Sequence, residues 1–125
     1  DRYYDDAPLV RDPAMSATLD IEARSDHTWS ILALQGEVDI STVGLLEERI
    51  DDCLKQGSRV VLDLSGVSFI DSTGLRLVIS TRQRLSEAGD LALVAQDGPV
   101  TRLLEITGLD GAFPVFATVE EATVS

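Results

Sequence analysis

The chain has 125 residues, with 22 Asp or Glu against 10 Lys or Arg, and a formal net charge of −12. That length fits one domain, and a hydrophobic share of 44% can bury a core, which excludes disorder across the whole chain. The acidity argues against nucleic acid and against an anionic membrane surface, because both are held through Lys and Arg; a protein partner with a basic face stays open.

Residues 1–15 hold Asp1, Asp5, Asp6 and Asp12, Pro8 and Pro13, and the pair Tyr3-Tyr4, with no steady period. They read as a flexible tail ahead of a domain over residues 16–125. Leu19, Ile21 and Ala23 then alternate with Asp20, Glu22 and Arg24, the pattern of a half-buried strand. A polar turn at Ser25-Asp26-His27 leads into residues 28–35, whose Trp29, Ile31, Leu32 and Leu34 predict a buried strand paired with the first as a hairpin. Gly36-Glu37-Val38-Asp39 breaks that pattern.

A helix is predicted over 43–56, with Leu46, Ile50, Cys53 and Leu54 on one stripe and Ser41 or Thr42 as the capping side chain. Gly57 suits the left-handed position that closes helices. Residues 60–64 form a short continuous apolar run, which suits a parallel strand covered on both faces. A loop and the Phe69-Ile70 pair follow, then a second helix over 72–88 with Gly89 after it. Residues 91–95 make another buried run. Pro99 opens a third helix carrying Val100, Leu103 and Leu104, with Gly108 past its end. Residues 114–117 are a last short strand, and Thr118 with Glu121 forms a capping box for a short terminal helix. Strands alternating with helices predict an α/β fold with a mixed, mostly parallel sheet, opened by the N-terminal hairpin and packed with about four helices.

Rare residues narrow the chemistry. Lys55 is the sole lysine, and no Gly-Lys-Ser/Thr triplet exists, so a P-loop nucleotide site is excluded. Lys55 lies in a polar helical stretch without the desolvated pocket that Schiff-base work needs. His27 is the sole histidine and reads as a solvated turn residue rather than a triad member or metal ligand. Cys53 is the sole cysteine, which excludes an intramolecular disulfide and fits a buried structural thiol. The chain lacks an apolar run of membrane-spanning length and a signal-peptide pattern, so a cytoplasmic location is expected.

The segment over 60–77 carries the chemistry. A buried strand leads through a loop to Asp71-Ser72-Thr73-Gly74, at the edge of an α/β sheet where functional groups gather. Two readings of Ser72 stand side by side. Its hydroxyl can cap backbone N–H groups at the helix start. Alternatively it can face outward as a phosphate acceptor, where the helix dipole tolerates a dianion and a new charge beside Asp71 repels a docked partner.

Three segments together resemble one family: Gly36-Glu37-Val38-Asp39, Val61-Leu62-Asp63-Leu64 and Phe69-Ile70-Asp71-Ser72-Thr73-Gly74-Leu75. They resemble the signature of the STAS domain, and more narrowly that of bacterial anti-sigma factor antagonists. The similarity covers about residues 19–122, and residues 99–109 resemble the family's third helix with its Gly-Leu ending. The resemblance implies the STAS fold and a phosphoacceptor at Ser72. It implies a serine-kinase anti-sigma factor as partner, bound by the unphosphorylated antagonist so that a sigma factor is freed. Phosphorylation by that kinase ends binding, and a serine phosphatase restores it. Asp39 matches the family's acidic residue near the serine. The expected partner-binding set is Asp39, Ser41, Thr42, Asp71, Thr73, Gly74, Leu75 and Arg76. No catalytic residue, cofactor or metal is expected. One departure stands out: the family often has Gly or Ala where this chain has Arg76, a cation one turn from Ser72 that could pair with a phosphate or alter partner choice.

Two other readings remain at this stage. The domain could be a non-phosphorylated STAS scaffold, as in stressosome-like or lipid-transport assemblies. A receiver domain with aspartyl-phosphate chemistry would need a late-strand lysine, which Lys55 is not, and would need Asp39, Asp63 and Asp71 to converge on Mg²⁺.

Overall fold

The computed structural model describes residues 19–85 and 90–124. The tail expected over 1–15 and the second helix's expected end at 86–88 lie outside them. β1 (Leu19–Asp26) and β2 (Trp29–Val38) form the expected antiparallel hairpin, in register from Leu19 opposite Gly36 to Asp26 opposite Trp29. His27 takes φ 55° in the tight connection between them. There follow α1 (Val43–Lys55), β3 (Arg59–Ile70), α2 (Ser72–Arg84), β4 (Leu91–Val94), α3 (Pro99–Thr107), β5 (Val115–Phe116) and α4 (Val119–Thr123). The five strands lie side by side in chain order, and each pair from β2 to β5 is parallel.

Alternation along the strands divides the core between two faces. Leu32 and Leu34 of β2, Val60, Leu62 and Leu64 of β3, and Leu91 and Leu93 of β4 pack with α1, α2 and α3. Trp29, Ile31, Val61, Ala92 and Val94 face the other way, where Ala122 and Val119 of α4 pack on them. Coverage of both faces is why β3 and β4 read as unbroken apolar runs. β1 departs from its predicted pattern: Leu19 is buried, but Ile21 is only half-buried and Ala23 is exposed. It lies at the sheet's edge, at the margin of the helical layer, so alternation in its sequence outruns its burial.

β2 and β3 are both longer than predicted. β3 has 12 residues against the 10 of β2. The register slips twice to absorb the difference: Ala33 faces Asp63 but Gln35 faces Gly66, and Gly36 faces Val67 but Glu37 faces Phe69. Each slip is a bulge in β3. At the first, a Cβ on Gly66 would stand 2.7 Å from the Leu34 carbonyl oxygen, so only glycine fits. At the second, Gly36 has φ 121°. The predicted loop after Leu64 and the predicted break at Gly36 are therefore strand, disguised by bulges that destroy the period of two.

The helix ends follow local chemistry. Gly57 (φ 72°) and Gly108 (φ 76°) take the left-handed conformation past α1 and α3. Thr118 Oγ1 accepts from the Glu121 N–H at 3.2 Å, and the Glu121 carboxylate reaches back to the Ala117 N–H at 3.2 Å. α2 stops earlier than expected, because Leu85 is already extended (φ −92°, ψ 141°). The Arg84 guanidinium meets the Asp51 carboxylate of α1 at 2.7 Å, a part-exposed pair that adds little energy but marks the α1–α2 contact. Cys53 is buried on α1, and that burial pushes its thiol pKa up against a smaller pull from the Ser30 hydroxyl, which leaves it a poor nucleophile. Among the described residues no helix is long and apolar enough to cross a membrane.

Candidate functional site

Parallel pairing brings the ends of β2 and β3 to one edge. Val38 faces Ile70, and the Asp71 N–H donates to the Val38 carbonyl at 3.2 Å. The residues that follow, Asp39 and Asp71, therefore begin two neighbouring turns at the mouth of the sheet.

Asp71 caps α2. Its backbone is extended, and its Oδ1 accepts from the N–H groups of Thr73 at 2.9 Å and Gly74 at 3.2 Å. Those donors would otherwise lack partners, so the carboxylate fixes the helix start. The capping role weighed for Ser72 is thus taken by its neighbour. Ser72 is the first helical residue, exposed, and among the described residues its hydroxyl has no hydrogen-bond partner. Asp71→Ala should lower the unfolding free energy by about 1–2 kcal/mol in a urea titration, with Asp71→Ser recovering most of it. An unchanged midpoint would show the cap to be dispensable.

Asp39 organises the other turn. Its Oδ1 accepts from the Ser41 N–H at 2.9 Å and the Ser41 hydroxyl at 2.6 Å. The Thr42 hydroxyl accepts from the Asp39 N–H at 3.0 Å and donates to the Glu37 carbonyl at 2.8 Å. The Ser41 hydroxyl, with the nearby N–H groups behind it, holds the Asp39 carboxyl below the usual carboxylate range despite some opposing desolvation. The expected capping of α1 by Ser41 or Thr42 does not occur: Thr42 sits at the cap position without a side-chain cap bond. The Thr42 oxygen accepts from the Asp39 N–H instead of from an α1 N–H, and the Ser41 hydroxyl is turned toward the Asp39 carboxylate, so both stiffen the turn.

The expected partner-binding residues divide by exposure. Asp39, Ser41, Asp71, Thr73 and Arg76 are exposed or half-buried around Ser72, while Thr42 is buried within the turn. Gly74 and Leu75 are likewise buried and face inward. A Cβ on Gly74 would lie 2.7 Å from Val38 Cγ1 and 2.9 Å from Ile70 Cγ1, so this glycine admits α2 to the sheet rather than a partner to α2. Two residues escaped the sequence reading. Ile40 is 80% exposed between Asp39 and Ser41, and Phe69 is 47% exposed two residues before Asp71. Their signal was faint: Ile40 belongs to no stripe, and Phe69 follows a bulge. Exposed apolar side chains rimmed by polar ones have the make-up of an interface. Asp63 bonds instead to the Ser65 N–H and hydroxyl at 3.1 and 2.6 Å, and among the described residues no group of three or more His, Cys, Asp or Glu is placed to hold a metal, so the weighed Mg²⁺ arrangement is not formed.

The model of the STAS domain family matches residues 19–122. An anti-sigma-F factor antagonist, RsfB of Mycobacterium tuberculosis, is 31% identical over 100 residues, which span 78% of this chain and 82% of that protein. An anti-sigma-B factor antagonist of Staphylococcus aureus is 34% identical over 93 residues, spanning 73% of this chain and 86% of that protein. The crystal structure of an anti-sigma factor antagonist from Mycobacterium paratuberculosis superposes with a TM-score of 0.79 at 28% identity, covering 85% of this chain and 92% of that one. With the hairpin, the parallel strands and the capped Asp-Ser-Thr-Gly helix start in place, the chain belongs to the STAS domain family, and its named relatives are bacterial anti-sigma factor antagonists.

Proposed function

We propose that this protein is a cytoplasmic anti-sigma factor antagonist that binds a serine-kinase anti-sigma factor, frees a sigma factor, and is switched off by phosphorylation of Ser72. The observation that carries the reading is the division of labour at α2: Asp71 takes the cap, and among the described residues the exposed Ser72 hydroxyl is left without a partner. Transfer would form a bond between Ser72 Oγ and the γ-phosphorus of the kinase's ATP. The bond to the β-phosphate oxygen breaks, ADP leaves, and the hydroxyl proton passes to a base on the kinase. This chain contributes the acceptor and its presentation. Asp71 holds the helix start, and Asp39 holds the adjoining turn through Ser41. Asp39, Ser41, Asp71, Thr73 and Arg76 supply the polar part of the docking surface, and Ile40 and Phe69 the apolar part. A serine phosphatase would hydrolyse the ester and restore the binding form.

Incubation with a serine-kinase anti-sigma factor and ATP should add one phosphoryl group at Ser72, located by mass spectrometry of the digest. Ser72→Ala should take none. Modification at Thr73 or Ser41, with Ser72 untouched, would overturn the assignment.

A further inference from the structure

Residues four apart on a helix lie one above the other, and side chains slant toward the helix N-terminus. Ser72 and Arg76 have this spacing on α2, and both are exposed. The slant directs the Arg76 guanidinium back toward Ser72. An anion followed by a cation four residues later is also the more favourable order on a helix. Two other arginines lie far from Ser72 and are committed elsewhere: Arg84, at the last turn of α2, to Asp51 at 2.7 Å, and Arg59, at the opposite end of β3, to Asp90 at 3.7 Å and over the Trp29 ring at 3.9 Å. Arg76 has no side-chain partner among the described residues. It is the one cation in the first two turns of α2.

The charges around Ser72 otherwise oppose a phosphate. Asp71 precedes it, and Asp39 follows the end of the neighbouring strand β2. A dianion added here meets like charge from α2's cap and from the β2 turn, with Arg76 to offset it. We infer that Arg76 is this chain's own receptor for the Ser72 phosphate: in the phosphorylated state its guanidinium closes over one turn of α2 and pairs with the phosphate oxygens. The inference rests on the phosphorylation reading and deepens it. The phosphate is laid along the helix surface and part-neutralised, so partner exclusion comes from a fixed, bulky ion pair more than from free negative charge. Arginine suits this task through its planar fork of donors, which matches two phosphate oxygens at once.

The test uses the full chain with phosphoserine installed at position 72 during translation, so no kinase is needed. The phosphate's second ionisation, near pH 6 for an unperturbed phosphoserine, is followed by phosphorus NMR. Pairing favours the dianion and lowers that pKa, so Arg76→Gln should raise it by about 0.3–0.5 unit, the size expected for an exposed ion pair. Arg102→Gln on α3 removes an equal charge elsewhere and should shift it by less than half as much. A second readout is the Arg76 side-chain N–H signal, which should move on phosphorylation. No shift in Arg76→Gln, or equal shifts in the two variants, overturns the pairing. The affinity of the same phosphorylated chain for the anti-sigma factor is measured separately. Retained affinity would overturn the switch while leaving the pairing intact.

Discussion

Ser72→Asp should weaken binding to the anti-sigma factor about 100-fold, roughly 2.7 kcal/mol, while Ser72→Ala should bind as the unmodified protein does. The estimate follows from what the residue touches. The hydroxyl has no partner among the described residues, so removing it leaves α2 and its cap unchanged. Both variants should then unfold within about 0.5 kcal/mol of the parent, as surface substitutions do. Binding is different, because a docked partner strips water from the surface. A carboxylate at position 72 stands beside Asp71, reaches toward Arg76 less far and with fewer oxygens than a phosphate does, and so enters the interface at best part-paired. A charge buried in an interface without full pairing costs about 2–5 kcal/mol, and the partial compensation that Arg76 can offer argues for the lower end. Raising the salt concentration should narrow the gap between the variants, since part of it is screened repulsion. Equal affinities of the two variants in a calorimetric titration would remove the charge switch from consideration.

The interior of this fold was legible because both faces of the sheet are covered. Val60 to Leu64 and Leu91 to Ala95 could be read as parallel strands from their unbroken apolar character, and Leu46, Ile50 and Cys53 gave α1 its stripe. What escaped were features where backbone geometry competes with pattern. The two bulges in β3 displaced Val67, Phe69 and Ile70 from any simple period, so a continuous strand resembled a loop. β1 kept its alternation but lies where little covers it. At the site, residue types were informative but their roles were not. Asp, Ser and Thr all accept hydrogen bonds from a helix start, and sequence alone cannot say which does. Backbone direction decides: an extended Asp71 aims its carboxylate at Thr73 and Gly74. At α1 the same competition went the other way, because the Asp39 carboxylate holds Ser41, and the Thr42 oxygen accepts from the Asp39 N–H and not from the helix. Gly74 stands in the expected partner-binding set, where a glycine would suit the close approach of another backbone. The close approach is real, but it lies within the molecule.

That contact leads to the second large effect. Gly74→Val should destabilise the domain by about 3 kcal/mol and Gly74→Ala by about 1–2 kcal/mol. A single Cβ at this position would stand 2.7 Å from Val38 Cγ1 and 2.9 and 3.2 Å from Ile70 Cγ1 and Cδ1. Val38 and Ile70 are 1% and 8% exposed, and they are paired across β2 and β3. Both are β-branched, with χ1 held to few rotamers, so neither can swing away without opening the core. Alanine's better helix propensity returns up to about 1 kcal/mol, which is why the smaller substitution is expected to be tolerated and the larger is not. The alternative to compression is a shift of α2 away from the sheet. That would strain the Asp71 N–H bond to the Val38 carbonyl and displace Ser72 with it. Gly74→Ala should therefore also slow phosphorylation at Ser72, although the glycine is buried. Val38→Ala in the Gly74→Ala background separates the two effects. It makes room for the new methyl group, so the pair should be more stable than the sum of the single losses by at least about 0.5 kcal/mol. Strict additivity in urea titrations would mean that α2 moves rather than compresses, and a Gly74→Ala protein as stable as the parent would mean the contact is not tight.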